Sequence, residues 1–143
     1  MFSQALICVA VAVYFEARSE PFIGQSAVAH VIMNRVYDER YPNNPCDVVH
    51  QGPTYAWAKH YPIRHKCQFS YYCDGKSDKP NRNSDAWSMA ILAATGAVYG
   101  MNMDPTEGAT HYHAYYVNPE WTSAKTMTIR INDHIFYRWE QDI

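Results

Sequence analysis

Residues 5–18 restrict the fold more than any other segment, because they are apolar around nearly the whole circumference of a helix. Val9, Val13 and Phe15 are among the apolar side chains of this segment. A helix without a polar face has to be covered on all sides, so the pattern predicts a helix in the middle of the core. The apolar run stops at Glu16, well short of the roughly 20 residues that a bilayer span requires.

Later segments predict two more helices and then a sheet. Apolar residues at i, i+3 and i+4 predict helices over residues 24–37 and 86–99. Expected minor elements are a short helical turn at 47–51, an irregular segment at 52–66 and a short strand at 68–72. The last third predicts β structure at 110–117 and a hairpin of 127–131 with 134–139. Helices followed by an antiparallel sheet indicate an α+β fold, in a single domain over 1–143.

The composition excludes several classes of protein. Charged residues make up 18% and aromatic residues 15% of the chain, which excludes intrinsic disorder. A net charge of -2 gives no chain-wide basic surface, so we expect no nucleic-acid partner. Core positions are expected for Tyr14, Phe15, Trp87 and Phe136. Groove positions are expected for Tyr71, Tyr72, Tyr112, Tyr115, Tyr116 and Trp121.

The cysteines and the N-terminal segment suggest a cytoplasmic site of synthesis. Residues 1–4 contain no Lys or Arg, so we expect no signal peptide. No two cysteines have the C-x-x-C spacing, and Cys8 is expected to be a small buried residue. Cys67 and Cys73 could close a small loop if oxidised, but four reduced thiols are expected while the protein stays in the cytoplasm.

Glu16 is the candidate for acid-base chemistry. It follows an apolar helix, where burial favours the neutral carboxyl group, and the negative end of the helix dipole acts in the same direction. A neutral carboxyl group near pH 7 is the general acid that cleavage of a glycosidic bond requires. The alternative is that Glu16 pairs with Arg18 or Arg35. For Glu20 we expect an ion pair or a loop-anchoring role.

His111 and His113 are two residues apart, so they share one face of a predicted strand. Two histidines can begin a zinc site, but zinc requires a further ligand and the sequence supplies none nearby. We therefore expect no metal cofactor, with both side chains lining a groove.

Several short blocks stand in order along nearly the whole chain. They are Tyr14-Phe15-Glu16-Ala17-Arg18-Ser19-Glu20, Gly24-Gln25-Ser26-Ala27-Val28-Ala29, Asn34-Arg35-Val36, Cys67-Gln68-Phe69-Ser70, Asp74-Gly75, Asp104-Pro105-Thr106, Gly108-Ala109-Thr110 with Tyr112, and Trp121 with His134, Phe136 and Tyr137. Together they resemble the SleB-type cell wall hydrolases, the family of spore-cortex-lytic enzymes and related bacterial and phage wall hydrolases.

This resemblance implies a lysozyme-like or lytic-transglycosylase-like domain that cleaves peptidoglycan between N-acetylmuramic acid and N-acetylglucosamine. Glu16 takes the position of the family's catalytic acid. Gln68, Ser70, Tyr112 and His134 occupy motif positions and are expected to contact the substrate. A zinc-dependent N-acetylmuramoyl-L-alanine amidase and a non-catalytic glycan-binding module stay open as alternatives.

Two positions depart from the family pattern. Ser19 replaces a glycine and would be strained if that position needs a positive φ, whereas Asn132 tolerates the turn where the family has glycine. The expected partners are peptidoglycan glycan strands, with no membrane insertion and a monomeric state. The short chain without a predicted signal peptide suggests a phage endolysin-like protein that acts on the wall after release.

Overall fold

The computed structural model describes residues 2–141. Its helices are α1 (Gln4–Ala17), α2 (Phe22–Val36), α3 (Pro45–Val49) and α4 (Asp85–Val98). The three predicted long helices are confirmed, although α2 already begins at Phe22. The side chain of Ser84 accepts a hydrogen bond from the backbone N–H of Trp87 at 3.2 Å, which fixes the start of α4.

Helix α1 lies in the core, as its apolar pattern predicts. It packs against α2, α3 and α4, and its Val9 and Val13 are completely buried. Alanines are frequent where the helices meet, so their backbones can approach closely. The fully buried alanines of α1, α2 and α4 are Ala10, Ala12, Ala27, Ala29, Ala90, Ala93 and Ala94. The expected core aromatics are confirmed, with Phe15 partly buried against the cluster.

The main sheet packs beside α2. Its strands β3 (His111–Ala114), β4 (Thr126–Ile131) and β5 (His134–Arg138) are antiparallel in the order β3-β5-β4. Phe136 from β5 is fully buried in a second apolar cluster with Val31 of α2. The predicted C-terminal hairpin and the α+β class are confirmed. Asn132 has a φ of 50° in the hairpin turn, which asparagine tolerates.

Three predicted minor elements are corrected. Residues 52–66 contain a separate hairpin of β1 (Thr54–Tyr55) and β2 (Ala58–Pro62). Residues 68–72 form no strand but lead into a 3-10 helix, Ser70–Cys73. The helical turn expected at 47–51 is α3, which begins earlier because the Asn44 side chain caps it.

The expectation of four reduced thiols is wrong. Cys8 is paired with Cys46, which joins α1 to α3, and Cys67 is paired with Cys73. Cys8 is thus half of a disulfide and only partly buried. The first pair is separated by 38 residues, so its pairing depends on helix packing that spacing does not reveal.

A short turn over residues 18–21 separates α1 from α2. The backbone N–H of Glu20 donates to the Ala17 carbonyl at 2.9 Å, and Pro21 precedes the first residue of α2. Ser19 does not have a positive φ, so the strain considered for this position does not arise. Among residues 2–141, no helix combines the length and apolarity needed to cross a membrane.

Candidate active site

Glu16 stands at the end of α1 between two cavities. One has a volume of about 140 Å³ and is bounded on its other sides by the 67–69 segment, β3 and Trp121. The other has a volume of about 400 Å³ and is bounded by residues 70–77 and the end of α1. The partly buried Glu16 carboxyl group therefore borders both cavities.

The surroundings of Glu16 favour its protonated form. Burial is the main cause that raises the pKa of Glu16, and the negative charge of Asp74 acts in the same direction. The Tyr112 hydroxyl donates to Glu16 Oε1 at 2.9 Å. This bond and a hydrogen bond with Ser70 lower the pKa of Glu16 without outweighing the burial.

Neither arginine considered as an ion-pair partner reaches Glu16. Arg18 is exposed and lies over the Tyr14 ring, with its guanidinium carbon 4.8 Å from the ring centroid. Arg35 donates from Nε to the Thr110 carbonyl at 2.7 Å. No ion pair joins Glu16 to a cation within residues 2–141. The interpretation of Glu16 as one half of a structural ion pair is therefore wrong.

The Cys67–Cys73 disulfide loop supplies a polar side chain to each cavity. Phe69 is 1% exposed and anchors the segment in the core. Its neighbours Gln68 and Ser70 are exposed, with Gln68 at the smaller cavity and Ser70 at the larger one. The strand predicted for this segment is wrong, but the structure places both side chains beside cavities that Glu16 borders. Their contact with substrate stays a prediction.

Helix α2 positions β3 beside Glu16. The Asn34 amide donates to the Ala109 carbonyl and to Asp104, each at 2.9 Å, and Arg35 holds the Thr110 carbonyl. Tyr112 follows directly on β3 and packs against both apolar clusters. The Asn34-Arg35 block thus acts through backbone carbonyls that fix the strand.

His111 and Trp121 complete the smaller cavity. Burial, together with the nearby charge of Arg35, lowers the pKa of His111 to about 4. The imidazole is therefore neutral near pH 7, with Nδ1 2.9 Å from the Thr110 hydroxyl. A neutral ring offers a ligand one nitrogen without adding charge next to Glu16.

Asp74 and Arg35 are cavity residues that the sequence did not identify as part of the site, and Arg35 was considered only as an ion-pair partner of Glu16. Asp74 reaches the larger cavity through the 3-10 turn at residues 70–73, while Arg35 borders the smaller cavity from α2. Both belong to blocks that carry the family resemblance, and this was the signal available for them.

Glu20 has a structural environment, as the sequence analysis predicts. The Asn132 amide donates to its Oε2 at 2.6 Å, and the Asp133 backbone N–H donates to Oε1 at 3.2 Å. The carboxyl group is buried and ties the end of the first turn to the β4–β5 hairpin.

His134, a predicted substrate contact, lies behind Tyr112 with 5.0 Å between the ring centroids. Its Nδ1 is 3.4 Å from Glu20 Oε1 without completing a hydrogen bond. Neither cavity beside Glu16 is bordered by His134. Its contact with substrate stays a prediction.

The two strand histidines are held by protein groups. His113 Nε2 is 2.9 Å from the Tyr137 hydroxyl and its Nδ1 is 2.8 Å from the Ala114 carbonyl. In the described part of the chain, no three His, Cys, Asp or Glu side chains are grouped as metal ligands.

The predicted groove aromatics separate in space. Tyr112 and Trp121 line the smaller cavity and Tyr71 the larger one. Tyr115 and Tyr116 are exposed and pack edge to face on each other at 5.3 Å between centroids.

Sequence comparison gives a family and curated relatives. Residues 19–137 match the family described as Cell Wall Hydrolase. A spore cortex-lytic enzyme of Halalkalibacterium halodurans is 33% identical over 134 residues, covering 87% of this chain and 32% of that protein. The spore cortex-lytic enzyme of Bacillus subtilis is 33% identical over 131 residues, covering 87% of this chain and 34% of that protein. The chain thus spans about a third of the length of these relatives.

Two solved structures have a similar fold. The catalytic domain of the germination-specific lytic transglycosylase SleB from Bacillus anthracis superposes with a TM-score of 0.72 and 29% identity, covering 96% of this chain and 97% of that one. The catalytic domain of the Bacillus cereus SleB protein gives a TM-score of 0.67 and 29% identity, covering 96% and 93%.

Proposed function

This chain belongs to the cell wall hydrolase family, and we propose that it cleaves the glycan strand of peptidoglycan with Glu16 as general acid and base. The observation that carries the proposal is the Glu16 carboxyl group itself. It is accessible from two cavities, is not paired with a cation in the described residues, and has a raised pKa. The similarity to the catalytic domain of a germination-specific lytic transglycosylase supports the same reaction class.

The proposed reaction begins with protonated Glu16. It gives its proton to the oxygen between N-acetylmuramic acid and N-acetylglucosamine, and the bond from that oxygen to muramoyl C1 breaks. The N-acetylglucosamine unit leaves as an alcohol, and positive charge develops at muramoyl C1. Glu16, now a carboxylate, removes the proton of the muramoyl 6-hydroxyl, whose oxygen bonds to C1. The products are a 1,6-anhydro end and a regenerated acid.

The neighbours of Glu16 have defined parts in this proposal. Tyr112 holds Oε1, so the carboxyl group keeps one orientation while its proton leaves and returns. Gln68 and Ser70 are placed to hydrogen-bond sugar hydroxyls or acetamido groups in the two cavities. Asp74 faces the larger cavity, where its negative charge would stabilise positive charge developing at C1.

The presence of Asp74 allows two different products. If Asp74 acted as a second carboxylate and activated water, cleavage would give a reducing end instead of the anhydro sugar. We propose the anhydro product, because Glu16 can complete both proton transfers by itself.

The site of action is proposed to be the cell wall, where the oxidising surroundings outside the cytoplasm keep both disulfides intact.

Mass spectrometry of the fragments from purified peptidoglycan tests this function. We expect 1,6-anhydromuramoyl ends with the wild type and none with Glu16→Gln. Glu39→Gln is the matched control, since Glu39 is exposed on the surface. Release of free stem peptides, or anhydro products from Glu16→Gln at the wild-type rate, would contradict the proposal. Reducing ends would keep glycan cleavage and reject the anhydro route.

A further inference from the structure

The β1–β2 hairpin presents an aromatic surface that the proposed cleavage does not use. Trp57 is 78% exposed and Tyr61 63% exposed. The ring centroids of Tyr55 and Trp57 are 5.2 Å apart, and those of Trp57 and Tyr61 are 6.5 Å apart. The ring planes of each pair differ by only about 30°. The exposed rings of Trp57 and Tyr61, with the partly buried Tyr55 ring beside Trp57, therefore form one aromatic platform, the kind of apolar surface that marks a binding site.

All the charged side chains of the same segment are cationic. Residues 52–66 contain Lys59, Arg64 and Lys66 but none of the chain's 14 Asp and Glu residues. The chain as a whole has a net charge of -2, so positive charge is concentrated here against the overall balance. Aromatic rings beside cations match a polymer that offers both flat apolar faces and negative charge.

The hairpin is joined to the active site through the disulfide loop. The His65 backbone N–H donates to the Cys73 carbonyl at 2.8 Å, and the Gln68 N–H donates to the Gln51 carbonyl at 3.0 Å. A cavity of about 360 Å³ lies between the hairpin base and residues 72–78, and it shares Lys76 with the larger cavity of Glu16. The two cavities thus adjoin at Lys76, and the second one reaches the base of the hairpin at Pro62 and Arg64.

We propose that this hairpin is a second binding site for the glycan strand, with Trp57 and Tyr61 stacking on sugar rings. Lys59 and Lys66 pair there with stem-peptide carboxylates of the same strand. The proposal rests on peptidoglycan as the substrate. The role assigned to the hairpin is to keep the enzyme bound to the insoluble wall during cleavage. Sugars supply the apolar faces and stem peptides supply the negative charge, so one polymer matches both properties of the hairpin.

Binding without turnover tests this site. Purified cell wall sacculi are sedimented with Glu16→Gln protein and with the same protein carrying Trp57→Ala and Tyr61→Ala. We expect the hairpin variant to bind about tenfold more weakly or worse, since exposed Trp and Tyr side chains dominate such contacts. Its melting temperature should not change, because both rings are exposed. Tyr99→Ala, at another exposed tyrosine, is the matched control and should bind normally.

The charged part has its own test. Lys59→Gln with Lys66→Gln should weaken binding at low salt and make the remaining binding less sensitive to salt. Unchanged wall binding in the aromatic variant overturns the proposal, as does loss of binding only together with loss of folding. Vesicles containing phosphatidylglycerol are the competing surface, and hairpin-dependent binding to them with no effect on sacculi also overturns it. None of these readouts requires cleavage, so failure of the proposed function is seen separately in the product analysis.

Discussion

The surroundings of Glu16 and Glu20 differ sharply, although the two residues are only four positions apart. Glu16 borders two cavities and accepts a hydrogen bond from the Tyr112 hydroxyl. Glu20 is closed off from solvent and accepts hydrogen bonds from the turn of the β4–β5 hairpin. A continuous helix would have placed both on one face. The difference shows that partners and access, rather than residue type, suit one carboxyl group to the proposed acid-base role and the other to a structural role.

Glu16→Gln should have the largest effect. We expect wall lysis to fall about a thousandfold, because the amide cannot transfer the proton. The protein should remain folded, since Gln can still accept the Tyr112 hydrogen bond. Turbidity loss of a wall suspension measures the activity, and circular dichroism checks the fold. Lysis near the wild-type rate would show that Glu16 is not the general acid, so no functional difference between Glu16 and Glu20 would remain.

Glu20→Gln should show the reverse pattern. The new amide turns an N–H donor towards Asn132 or the Asp133 N–H, and we expect the free energy of unfolding to fall by about 2–3 kcal/mol. Lysis per folded molecule should change little. Urea unfolding followed by fluorescence gives the stability. A stable variant without activity would place Glu20 in the chemistry.

Tyr112→Phe should lower lysis about tenfold through loss of one hydrogen bond to Glu16. That bond lowers the pKa of Glu16, so its loss should move the alkaline limit of activity to higher pH. The measurement is the pH profile of the initial rate. A limit unchanged from the wild type would show that Tyr112 does not act on the carboxyl group.

Asp74→Asn should move the same limit in the opposite direction. Its negative charge helps to raise the pKa of Glu16, so removing it should make activity decline at lower pH. The rate at the optimum should fall as well, because the charge proposed to stabilise C1 is lost, but by less than in Tyr112→Phe. Complete loss of activity, together with reducing-end products from the wild type, would instead identify Asp74 as the base that activates water.

The smallest effect concerns stability as a function of pH. Glu16 has a raised pKa in the fold, so folding favours its protonated form. Below the ordinary value of 4.5 both states are protonated, whereas at higher pH the unfolded chain releases the proton first and the wild type loses stability. Glu16→Gln avoids this loss. Its advantage in melting temperature should therefore grow from pH 4 to pH 8, and a constant difference would contradict the raised pKa.

The sequence predicts the elements that depend on local periodicity. The helices of the core and the C-terminal hairpin have apolar repeats long enough to define their type. The β1–β2 hairpin has no such apolar repeat, because its strands are short and its Trp57 and Tyr61 rings face solvent. Residues 68–72 alternate like a strand, but the Cys67–Cys73 bond closes them into a tight turn.

The candidate site is predictable only in part for the same reason. Glu16 is identified by its position at the end of an apolar helix, which is a local property. The contribution of Tyr112 comes from a residue 96 positions away, and that of Asp74 from the far wall of a cavity. Neither the depth of burial nor the failure of Arg18 to pair with Glu16 can be derived without the packed structure.

The turn over residues 18–21 determines the positions of the Glu16 and Glu20 carboxyl groups relative to each other. An inserted or deleted residue would change the separation of Glu16 and Glu20, and each of them is held by its own partner on the sheet, Tyr112 and Asn132. Either Glu16 would lose its place opposite β3 or Glu20 would lose the hairpin. The length of this segment is therefore more tightly constrained than the identity of its side chains. Ser19, exposed and without a positive φ, should accept many side chains but no insertion beside it.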